Sequence, residues 1–136
     1  MVIDVEKRDE IIEYWREGAG EALENAEYLM EKKSFSYALF FAHLATEKIL
    51  KSLVIKKTND HAPRTHDLLY LVGLSGVDLS KSQENLLLEI GKFNIEGRYP
   101  EEKQEASKKI NQAMVENYLI KIKELYLWLS SEQKEK

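Results

Sequence analysis

The chain has 136 residues, with 20 Lys plus Arg against 24 Asp plus Glu, for a formal net charge of −4. It contains no cysteine, which excludes disulfide scaffolds, thiol catalysis and cysteine-ligated zinc. The acidic total gives no global attraction to nucleic acid or anionic membrane, while leaving room for a local basic patch.

This length fits one domain, which buries roughly two thirds of its extended-chain surface on folding. The opening MVIDVEKRDE carries acids and no apolar run, unlike a signal peptide. No stretch approaches the length of a membrane span, so no membrane partner is expected, and the lack of cysteine suits a cytoplasmic location. Two prolines and six glycines, against abundant Leu, Glu, Lys, Ala and Ile, favour helix.

The first helix is predicted over about 5–32. Ile12, Trp15, Ala19, Ala22 or Leu23, Ala26 and Leu29 or Met30 step by three or four and form one apolar stripe. Gly18 and Gly20 each weaken the middle by roughly 1 kcal/mol relative to alanine. They either admit a close neighbour or mark a kink.

A short junction at 33–35 leads to a second helix over about 36–57. Tyr37, Phe40, Phe41, Leu44, Ala45, Ile49, Leu53 and Val54 give it a wide apolar surface, suited to a central helix. Glu47 and Lys51 stand at i,i+4 in the favourable orientation for a pair. Their partial burial is an expectation.

Asn59, Asp60 and Pro63 end that helix. Thr65 or Asp67 is placed to cap a short third helix through Leu68, Leu69, Leu71 and Val72, which Gly73 and Gly76 stop. Ser80-Lys81-Ser82-Gln83 fits a capping box, opening a fourth helix to about residue 95. Gly97, Tyr99 and Pro100 interrupt the pattern, and Glu101 and Glu102 suit a new N-terminus.

The last helix is predicted over about 102–129, with Val115, Leu119, Ile122, Tyr126 and Leu129 as its main stripe. Residues 131–136 form a polar tail expected to fray. Three long helices and two short connecting ones imply an all-α, up-and-down bundle in a single domain, 1–130.

Three polar features invite a functional reading: Glu47 with Lys48 and Lys51, the run Pro63-Arg64-Thr65-His66-Asp67, and the run Gly97-Arg98-Tyr99-Pro100. Arg98 suits bidentate binding of phosphate or carboxylate, and equally a structural ion pair. Tyr99 either stacks on a base or fills the end of the bundle. His66 could act as an acid or base, as histidines do, or could hold its loop by a hydrogen bond. His43, within FFAHLA, is expected to pack among its aromatic neighbours. Glu47 and Lys51 either fix helix packing or present the lysine to an anionic ligand. No glycine-rich phosphate loop, HExxH, EF-hand or nucleophile elbow occurs, and the histidines and carboxylates show no metal-ligand spacing. No metal or cofactor is therefore expected.

In order and spacing, YALFFAHLATEKILKSLV, APRTHDLLYLV and FNIEGRYP together resemble the HEPN family over nearly the whole chain. The resemblance implies a helical bundle, commonly a homodimer, of which many small members are encoded beside a minimal nucleotidyltransferase as a toxin–antitoxin or defence-related pair. Catalytically active branches are metal-independent ribonucleases using an Arg followed, after four to six residues, by a His. Here Arg98 is followed by YPEEKQEASKK, and Arg64 precedes His66 by only one intervening residue. The resemblance thus implies a module with no catalytic residue of its own. The family's polar positions fall on Glu47, Lys48 and Lys51, on Thr65, His66 and Asp67, and on Arg98, Tyr99 and Pro100. These are candidate residues for binding a nucleotide, RNA or a protein partner. Two alternatives stay open: a divergent endoribonuclease pairing Arg98 with His66, and a nucleotide sensor with Lys51 and Arg98 on phosphates and Tyr99 on the base.

Overall fold

The computed structural model describes residues 3–93 and 110–133. Among them are five helices and no strand: α1 Val5–Glu31, α2 Phe35–Thr58, α3 Leu68–Ser75, α4 Lys81–Gly91 and α5 Gln112–Gln133. The all-α bundle of three long and two short helices is the architecture that the periodicity predicts.

Local chemistry explains most boundaries. At the end of α1, Ser34 N–H reaches Leu29 O (2.8 Å) and Lys33 N–H reaches Met30 O (3.0 Å), with Lys33 at φ 61°. This closure satisfies carbonyls that the helix leaves unpaired, and it turns the chain within three residues. Asn59, at φ 59°, ends α2 in the same left-handed region, which asparagine tolerates better than most residues.

Of the two possible caps for α3, Asp67 is the one used: its Oδ1 accepts from Tyr70 N–H at 3.2 Å. Gly76, at φ 73°, stops α3, whereas Gly73 stays within it. The capping box of α4 is complete, with Ser80 Oγ accepting from Gln83 N–H (3.1 Å) and Gln83 Oε1 from Ser80 N–H (2.9 Å).

The last helix differs from expectation. The predicted start, at 102–109, lies outside the described residues; within them Ile110 and Asn111 are non-helical and α5 begins at Gln112. Asn111 Oδ1 accepts from Met114 N–H at 2.9 Å, so a cap sits where the apolar stripe alone shows no break. The helix also continues to Gln133, past its predicted end. Likewise α4 ends at Gly91 rather than near 95.

Among the described residues, α2 touches all four other helices. Ala19, Ala22 and Ala26 of α1 and Ala38, Ala42 and Ala45 of α2 are buried in the common core. Small residues on both helices allow a close crossing, with Ile49, Leu50, Leu71, Ile90, Val115, Ile122 and Leu129 filling the centre.

The two glycines of α1 admit side chains, and α1 runs through them without a break. A Cβ at Gly18 would stand 3.2 Å from Lys48 Cδ and Nζ, and one at Gly20 would stand 3.3 Å from the Tyr126 hydroxyl. No helix among the described residues is long and apolar enough to cross a membrane.

Candidate functional site

α2 carries Glu47 into the interior, where its side chain is only 5% exposed. Lys51, one turn later, turns its Nζ to Glu47 Oε2 at 3.0 Å. Its ammonium also lies 5.2 Å from the centroid of the Trp15 ring on α1. The lysine is thus held between a carboxylate and an aromatic face, both attractive to a cation.

The other carboxylate oxygen is also engaged. His66 Nδ1 lies 2.8 Å from Glu47 Oε1. An ionised carboxylate can only accept, so Nδ1 carries the hydrogen in this contact. His43 Nδ1 is 3.8 Å from the same oxygen. One buried carboxylate therefore gathers a lysine and two histidines from α2 and the 59–67 connection.

Burial of His43 pushes its pKa below the ordinary 6.5. Glu47 opposes that shift, the neighbouring His66 ring adds to it, and the His66 backbone opposes it. Burial wins, so the fold favours neutral His43.

Thr65 and Asp67 flank His66 but act on the local chain. Thr65 Oγ1 accepts from Asp67 N–H at 3.1 Å, while Asp67 caps α3. Together they fix the turn that delivers His66. Lys48 points elsewhere, across α1 at Gly18. Of the predicted residues, Glu47, Lys51 and His66 come together; Arg98, Tyr99 and Pro100 lie outside the described residues.

Two members of the cluster were not picked out from sequence as site residues. His43 stands four residues before Glu47, the same spacing that singled out Lys51, so a helical signal existed. Trp15 had none, because its meeting with Lys51 depends on how α1 and α2 are aligned. Among the described residues, no group of three or more His, Asp or Glu could hold a metal. Internal pairing on both Glu47 oxygens makes the cluster a lock between α2 and the connection to α3.

The fold resembles the crystal structure of TT1696 from Thermus thermophilus. The two share 20% identity, with 88% of this chain and 96% of that chain covered at a TM-score of 0.74. At that identity the likeness is one of fold. No curated protein matches the chain. The HEPN domain family matches residues 12–133, which takes in every helix described above except the first turns of α1. The chain belongs to the HEPN domain family.

Proposed function

We propose that this chain is a noncatalytic HEPN binding module that pairs with a second copy of itself and associates with a minimal nucleotidyltransferase, in a toxin–antitoxin or defence-related setting. The observation that carries this reading is the closure of the polar cluster. Both oxygens of Glu47 have internal partners, and Lys51 is enclosed by Glu47 and Trp15. Groups arranged this way hold a loop in place, whereas proton transfer to a substrate needs a group aimed at it. The absence of a histidine at the ribonuclease spacing after Arg98 supports the same reading.

Light scattering on the purified protein, alone and mixed with the nucleotidyltransferase of a neighbouring gene, tests it. A dimer alone and a heavier complex in the mixture are expected at micromolar concentration. A monomer that forms no mixed complex overturns it.

A second reading draws on one observation. His66 is half-exposed, with Nδ1 anchored on a buried carboxylate, and such an anchor orients a histidine for acid–base work. A metal-independent endoribonuclease would then use His66 with Arg98. RNA cleavage in excess chelator that disappears in both His66→Ala and Arg98→Ala would favour this enzyme; cleavage unchanged in both would remove the assignment.

A further inference from the structure

Two hollows open between α1 and α5. One, of about 480 Å³, is lined by Met30, Leu119 and Ile120, with the exposed Glu27, Glu31 and Glu116 around them. The other, of about 570 Å³, is lined by Leu23 and Tyr126, with the exposed Glu17, Glu21 and Glu24 and again Glu27. Glu27 borders both, so they form one groove along α1. Glu17 and Glu31 bound a stretch of α1 that is ~21 Å long, at about 1.5 Å per residue.

The groove has an apolar floor under an acidic rim. Ile120 is 62% exposed within it, whereas Leu23 and Leu119 are buried. No Lys or Arg occurs between Glu17 and Glu31, and the steps of three and four between these glutamates keep them on one side of the helix. Glu17, Glu21, Glu24 and Glu31 make no ion pair among the described residues, and Glu116 only accepts a hydrogen bond from the Gln112 amide (2.9 Å). Lys123, 3.4 Å from Glu27, is the one cation among the described residues that line the groove. Lys32, just past α1, lies 5.4 Å from the centre of the Tyr28 ring and lines neither hollow.

Charge identifies the occupant. Like charges one turn apart cost a helix roughly 0.2–0.5 kcal/mol per pair, and a cationic ligand relieves that repulsion. The same field repels RNA, nucleotides and anionic lipid. It also repels the same groove of a second copy, which brings the same glutamates. A segment with Lys or Arg on its flanks and apolar side chains on one face satisfies both rim and floor.

We propose that the α1–α5 groove docks a basic amphipathic helix of a partner protein, with its apolar face on Met30 and Ile120 and its cations against the α1 glutamates. This surface depends neither on self-pairing nor on association with a nucleotidyltransferase, and goes beyond both.

Fluorescence anisotropy on the full chain tests it, using a labelled peptide of about 14 residues with leucines at i, i+3, i+7 and i+10 and lysines elsewhere. The peptide is expected to bind saturably at micromolar concentration and to weaken as salt rises. Ile120→Ser, and Glu24→Lys combined with Glu31→Lys, are each expected to weaken binding about ten-fold while helical circular dichroism stays unchanged. Leu88→Ser, at an exposed position of α4, is expected to leave binding unchanged. A peptide with serines in place of the leucines is expected not to bind. No binding of the leucine–lysine peptide overturns the proposal, as does equal binding of the serine peptide or binding that neither set of groove variants weakens. A dimer in light scattering that Ile120→Ser turns into a monomer also overturns it, since the occupant is then a second copy.

Discussion

His66 Nδ1 and Glu47 Oε1 lie 2.8 Å apart, tying the connection before α3 to the middle of the central helix. A single carboxylate therefore does two jobs at once. It neutralises a lysine that is 6% exposed and it fixes the position of a half-exposed histidine.

Glu47→Gln is expected to destabilise the fold by about 3–5 kcal/mol, because it leaves Lys51 buried without a counter-charge. Urea unfolding followed by circular dichroism measures this. The double variant Glu47→Gln with Lys51→Met is expected to lose less than Glu47→Gln alone, since it removes the stranded charge along with its partner.

His66→Ala acts more locally. The hydrogen bond to a charged group is partly open to water, so its loss is worth about 1 kcal/mol. Hydrogen exchange is expected to quicken several-fold over residues 64–67, with little change at Ile49 and Leu50 in the core of α2. Equal acceleration at both places would show that His66 supports the whole fold.

Neutral His43 sets a pH dependence. Its folded pKa lies below the 6.5 of the free side chain, so between those two values the unfolded chain binds more protons than the folded one. The stabilisation is complete above 6.5 and is lost as pH falls below it toward the folded value. Glu47 and His66 are the charged and titratable groups acting on it. Melting temperatures are expected to decline on the acid side of 6.5, and the decline is expected to be shallower in His43→Gln.

Two glycine substitutions are expected to have opposite signs. In Gly18→Ala the new methyl meets only the flexible end of Lys48, so the gain in helix propensity prevails, by up to about 1 kcal/mol. Gly76→Ala places a Cβ at φ 73°, costing about 1 kcal/mol or more. Thermal melts of the pair decide this, and a loss in Gly18→Ala would mean that Lys48 cannot yield.

Helix content, the central role of α2 and the capping box at Ser80 were readable from the sequence because each depends on residues within a few positions. Apolar spacing, propensity and capping act over one or two turns. The pairing of Glu47 with Lys51 was legible for the same reason. The break at Asn111 was less so, because an apolar stripe can run past a cap without a change of period.

Tertiary structure alone decided what these residues meet. Trp15 reaches Lys51, His66 reaches Glu47, and Lys48 crosses Gly18 only once α1, α2 and the connection to α3 are set in one alignment. The sequence marks Lys48 and Lys51 as neighbouring cations of one helix. Packing buries one against a carboxylate and leaves the other without a counter-ion among the described residues, since positions three apart on a helix face different neighbours when its surroundings differ on each side.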